Sequence, residues 1–175
     1  MKLEMKSIKH SAFQSQETYC YEGVVYIDGK KSIHVRNDGV GGSDSQWTVG
    51  EKMDYSLLKK VDDWCKNNLP KWKMSSDGGD AEEYDTSFEM WCSEQVTQFL
   101  RRKELKRFLK KDINFVEDGE LRFCSYKGVR QISGVHLNHF KIKAKDKNRS
   151  IEVILNDLPF EDAFKIYNQH CDKEV

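Results

Sequence analysis

Thr18-Tyr19-Cys20-Tyr21-Glu22-Gly23-Val24-Val25-Tyr26-Ile27, followed by Asp28-Gly29 and then by Lys31-Ser32-Ile33-His34-Val35-Arg36, is the stretch that decides the fold class. The first run is rich in aromatic and β-branched residues, which suit a pleated, half-buried surface. Asp28-Gly29 is a two-residue turn signal, because a type I′ turn needs positive φ at both positions and Asp and Gly tolerate it. The returning run alternates, with Ile33 and Val35 on one face and Ser32, His34 and Arg36 on the other. The pattern predicts an antiparallel hairpin.

Working outward, Asn37-Asp38-Gly39-Val40-Gly41-Gly42-Ser43-Asp44 reads as a Gly-rich loop. An amphipathic helix is expected near 51–68, where Leu57, Leu58, Val61, Trp64, Cys65 and Leu69 recur at spacings of three and four. Pro70 ends it, since proline disfavours helical geometry in the residue before it. The stretch near 73–85, centred on Ser75-Ser76-Asp77-Gly78-Gly79-Asp80, is expected to be an exposed loop. A second helix is predicted from Thr86, where Thr86-Ser87-Phe88-Glu89 matches a capping box. Its apolar stripe falls out of phase between Leu100 and Leu105, which predicts a break between Arg101 and Glu104. A second hairpin is expected from 113–116 and 121–124 around Glu117-Asp118-Gly119-Glu120. The stretch 129–147 fits helix and strand equally well, 150–155 reads as a short strand, and Pro159 opens a last helix that buries Phe160, Ala163, Phe164 and Tyr167. These elements make an α+β domain over 1–175: two β-hairpins contribute to an antiparallel sheet, packed by two longer helices and a short C-terminal helix.

Composition excludes several function classes. The net charge is zero, from 29 basic and 29 acidic side chains, which argues against a constitutive nucleic-acid or membrane-surface binder. No apolar run approaches the length a membrane-crossing helix needs, and five scattered cysteines without a Cys-x-x-Cys pair suit a reducing compartment. The expectation is a soluble cytoplasmic protein. Its charges are nevertheless segregated. Between Met74 and Leu100 there is no Lys or Arg, while Asp77, Asp80, Glu82, Glu83, Asp85, Glu89 and Glu94 are acidic; seven basic residues follow between Arg101 and Lys111. The helix dipole favours this order, with acids at the start and bases at the end.

Four constellations could carry chemistry. Asn37, Asp38, Gly39, Gly41, Gly42 and Ser43 could bind a nucleotide or small anion through backbone amides, although the loop lacks a P-loop Lys and a Gly-x-Gly-x-x-Gly pattern. His136-x-x-His139 would need further ligands to hold zinc, so no metal and no cofactor is implied. Cys20 and His34 could pair across the hairpin only if the register allows it. The acidic Glu82, Glu83 and Asp85, and the basic Arg101, Arg102 and Lys106, are candidate protein-binding residues. Nucleic acid through 101–111 is the less favoured use of the basic run. No catalytic residue is assigned.

Phe13-x-Ser15-x-Glu17-Thr18-x-Cys20-Tyr21, Val25-Tyr26-x-Asp28-Gly29-Lys30-Lys31 and Val35-x-Asn37-Asp38-Gly39-x-Gly41-Gly42, with the closing Ile154-Leu155-Asn156-Asp157-Leu158-Pro159-Phe160-Glu161-Asp162-Ala163, resemble a group of small uncharacterised tailed-phage and prophage proteins. The resemblance covers both ends and leaves the middle of the chain unmatched. It implies a phage origin and action inside a bacterial host, and assigns no residue a role. The expected function is a non-enzymatic accessory protein that binds a host macromolecule, a host protein before nucleic acid, as a counter-defence inhibitor would; the alternatives are a nucleotide or small-anion binder and an enzyme of unrecognised type. Oligomeric state is left open.

Overall fold

The computed structural model describes residues 1–74 and 82–172. It has mixed helices and antiparallel sheets, the α+β class expected. The chain divides into two compact units, Met1–Phe99 and Leu100–Val175.

The first unit is built on a four-stranded antiparallel sheet in sequence order: β1 (Leu3–His10), β2 (Cys20–Ile27), β3 (Lys30–Asp38) and β4 (Ser45–Thr48). The β2–β3 hairpin is the one the sequence predicts. Asp28 and Gly29 have φ of 49° and 82°, as a type I′ turn requires. Val25 faces Ile33, Gly23 faces Val35 and Tyr21 faces Asn37. All six are buried, so one face of the hairpin supplies core. β1 is an unanticipated edge strand. Its register slips between Lys6 and Lys9, around Ser7 at φ 54°. A bulge of this kind twists an edge away from further pairing.

The first helix, α1 (Tyr55–Asn68), starts four residues later than the pattern predicts. Its N-cap is Asp54, whose carboxylate accepts from the Leu57 amide at 3.0 Å, and the Asp54 amide donates to Thr48 Oγ1 at 2.8 Å. Leu69, before Pro70, is extended at φ −96°, ψ 153°, which ends the helix as proline demands. Val61 and Cys65 are its fully buried residues. A short hairpin follows, β5 (Trp72–Met74) and β6 (Glu82–Tyr84), in place of part of the expected exposed loop. Residues 75–81 lie outside the described residues.

The second helix, α2 (Phe88–Lys111), is continuous, so the break expected between Arg101 and Glu104 is absent. The phase slip has another cause. Phe88, Cys92 and Val96 are buried in the part belonging to the first unit, and Leu105 in the part belonging to the second. Each part buries a stripe for its own core.

In the second unit, the three-stranded antiparallel sheet β8-β7-β9 is made by β7 (Asp112–Glu117), β8 (Glu120–Ser125) and β9 (Ile151–Ile154). The two predicted hairpins therefore belong to separate sheets. Asp118 and Gly119, at φ 53° and 73°, repeat the turn chemistry of the first hairpin. The central strand β7 is buried at every position from Ile113 to Glu117 because both faces are covered. Ile113 and Phe115 pack with Phe140 of α3 (Gly134–Asp146). On the other side Val116 packs with Leu105, Leu155 and the Ala163, Phe164 and Tyr167 face of α4 (Phe160–Cys171). Pro159 is the N-cap of α4, one position outside the first turn where it was expected.

Among the described residues no helix is long and apolar enough to cross a membrane.

Candidate functional site

The start of α2 is fixed from several directions, and that fixing creates a cleft. Phe88's amide donates to Asp62 Oδ1 of α1 at 2.9 Å, and Met90's amide donates to Ser87 Oγ at 3.2 Å. The expected capping box does not form. Thr86 instead donates its hydroxyl to the Pro70 carbonyl at 2.5 Å, and Glu89 accepts the Asp44 amide at 2.9 Å. Tying Thr86 to Pro70 holds the base of the β5–β6 hairpin against the end of α1. Between these elements and α2 lies an open cleft of about 1160 Å³.

Leu69, Pro70, Trp72, Tyr84, Met90 and Trp91 supply its apolar wall. Trp72 and Tyr84 face each other across the hairpin register and are 49% and 42% exposed. Trp91 stacks on buried Phe88, with ring centroids 5.9 Å apart. Asp85, Glu89 and Glu94 line the same cleft, with Lys71 the one cation among its described lining residues. Asp85 pairs with Lys71 at 3.5 Å, and Glu94 accepts from Gln98 at 2.6 Å. Of the acidic residues the sequence nominates, Asp85 therefore lines the cleft, while Glu82 and Glu83 are exposed on β6 beside it. Tyr84's hydroxyl donates to Glu82. The arrangement is a concave apolar surface with a negative rim, suited to an aromatic or aliphatic anchor flanked by cations.

The basic nominees lie elsewhere, in the second unit, and have partners there. Arg101 donates to Asn168 at 2.8 Å and to Asp172 at 2.5 Å. Arg102 pairs with Glu161 at 2.7 Å and lies 4.1 Å from the Phe164 ring centroid. That guanidinium holds the Glu161 carboxyl below its usual range. Lys106 sits 5.0 Å from the Phe160 ring centroid. Together they fasten α4 to α2.

The Gly-rich loop is held from inside. Asn37 is buried; its Oδ1 accepts from the Gly39 amide and the Thr18 hydroxyl at 2.8 Å each, and its Nδ2 donates to the Gly42 carbonyl and Asp44. Gly41's amide donates to Thr18 Oγ1 at 3.4 Å, and Asp38 pairs with Arg36 at 2.8 Å. Ser43 is exposed. The Asp44 carboxylate, raised above its usual range by burial, accepts the Tyr21 hydroxyl. With the Gly39, Gly41 and Asp44 amides engaged and the Glu17 carboxylate against Gly41, the loop offers a poor electrostatic setting for an anion.

Two other candidates fail on geometry. The hairpin register places Cys20 opposite Asp38 and His34 opposite Val24, so the thiol and imidazole are not cross-strand neighbours. His34 stacks on Trp47 instead. His136 Nδ1 accepts the Ser133 amide at 3.1 Å at the start of α3, and His139 Nδ1 lies 3.4 Å from the Tyr126 hydroxyl. Among the described residues no three His, Cys, Asp or Glu side chains converge as a metal site.

Of the cleft aromatics, Trp91 sits on the apolar stripe that predicts the second helix, whereas Trp72 and Tyr84 carry no periodic signal in the sequence. Trp72 and Tyr84 are brought together by a two-stranded pairing too short to read, and their flanks resemble loop. Compared with protein-family models, curated proteins and solved structures, the chain matches none.

Proposed function

We propose that this is a phage-encoded, non-enzymatic accessory protein that binds a host protein, blunting a bacterial defence system, and that the cleft of the first unit is where it binds. The observation that carries this reading is the exposure of Trp72 and Tyr84 inside a cleft that also holds Asp85, Glu89 and Glu94. Exposed aromatics in a concavity are the usual anchors of protein recognition, and a carboxylate rim selects a segment carrying Lys or Arg. The phage-like ends supply the biological setting, and the segregated acidic stretch supplies the charge complementarity.

The test is affinity purification of the full chain from expressing bacteria, read by mass spectrometry against Trp72→Ala and the triple reversal Glu82→Lys, Glu83→Lys, Asp85→Lys. A specific partner is expected with the wild type. Trp72→Ala should weaken its binding by about 2 kcal/mol, in the range of an interface anchor. The triple reversal should slow association and reduce its salt dependence. Recovery of nothing above background, or equal recovery by all three proteins, retires the reading.

A further inference from the structure

The second unit holds a concavity of about 350 Å³ whose lining carries only positive titrating charge apart from a thiol and a phenol. Lys127 comes from the segment after β8, and Lys143 and Lys147 come from α3 and its C-cap. Arg149 also lines it, but its guanidinium is engaged by Glu117 through two contacts of 2.6 Å. The three lysines have no ion-pair partner among the described residues, and no carboxylate lines the concavity.

Such a grouping costs the fold something. Lysines four apart on a helix repel each other. The negative end of α3 offsets this for Lys143 and Lys147. It does not account for Lys127, which belongs to a different segment and joins the same concavity. The floor is apolar: Phe140 and Ala144 are buried on the helix face between the lysines, and Tyr126 stands at the side. Three lysines from two segments, lining one concavity with Phe140 and Ala144, suit a small molecule with a phosphate at one end and a flat or aliphatic body at the other. The volume lies at the small end of ligand pockets, which run from roughly 300 to 1,000 Å³.

We infer that this concavity is a binding site for a small phosphorylated ligand of mononucleotide size, with Lys127, Lys143 and Lys147 holding the phosphate. The site is independent of the cleft in the first unit. Calorimetric titration of the full chain with AMP, ribose 5-phosphate and inorganic phosphate tests it, with a short single-stranded oligonucleotide as a fourth titrant. AMP is expected to bind, and the double reversal Lys143→Glu, Lys147→Glu to weaken it by more than about tenfold. Lys127→Glu, on a separate segment, should weaken it as well, and the charge-matched Lys30→Glu, Lys60→Glu should leave it unchanged. Weaker binding of ribose 5-phosphate than of AMP places the base on the apolar floor; equal binding assigns recognition to the phosphate and sugar. The inference is overturned by absence of binding with all three small phosphates, by equal affinity of wild type and lysine variants, by an equal loss in the Lys30, Lys60 control, or by oligonucleotide binding alone.

Discussion

Gly39 adopts φ +84°, and a Cβ there would stand 2.4 Å from the Gln14 carbonyl oxygen and 2.8 Å from Cys20 Cβ. Gly29, at φ +82°, has open space around the same position. Both substitutions to alanine meet the left-handed penalty, but only one also meets backbone. Gly39→Ala should therefore cost about 3 kcal/mol and Gly29→Ala about 1 kcal/mol, read from urea midpoints at constant slope. Glu117 offers a prediction in pH. The hydrogen bonds from Arg149 hold its carboxyl below the usual value, so the folded state releases that proton more readily than the unfolded chain does. Stability from this pair is fully present above the unfolded carboxyl value of about 4.3 and is lost as pH falls through the lowered folded value. Arg149→Met should reduce the acid-limb slope of a stability–pH profile; an unchanged slope would show that the pair contributes nothing to it.

At the scale of elements, what could be read from sequence depended on how local the cause was. Both hairpins were legible because Asp28-Gly29 and Asp118-Gly119 state their turn geometry within two residues. The end of α1 was legible for the same reason, through Pro70. β1 was not, since an edge strand alternating Lys, Glu and Met buries no residue fully and shows no apolar period. α3 was ambiguous because only Phe140 and Ala144 of its thirteen residues are buried. The expected break in α2 mistook a change of core for a change of backbone. The capping box failed because Thr86 and Glu89 found tertiary partners, Pro70 and Asp44, which sequence spacing cannot reveal. Of the nominated site residues, the acidic three lie in or beside the cleft, yet its aromatic wall depends on β5 and β6 pairing. α2 also carries a testable asymmetry. Leu105→Ala should cost about 3 kcal/mol, as removal of a fully buried leucine does, whereas Ser87→Ala should cost about 1 kcal/mol through its cap; calorimetric unfolding of each separates the two.

For the whole molecule, zero net charge at neutral pH means that no overall repulsion keeps copies apart. Solubility should pass through a minimum near pH 7 and recover on either side, as precipitation by polyethylene glycol would measure. A different consequence follows from where the thiols lie. Cys65 and Cys92 are fully buried in the first unit; burial pushes the Cys65 thiol up to about 11 and raises that of Cys92 well above its usual value. Cys124 and Cys171, in the second unit, are half-buried, as is Cys20 in the first. Alkylating reagents attack the thiolate, so the native chain should label quickly at three sulfurs and slowly at two. Those two slow sulfurs are a built-in clock: the rate at which they become alkylated measures how often the interior of the first unit opens, with no foreign reporter attached.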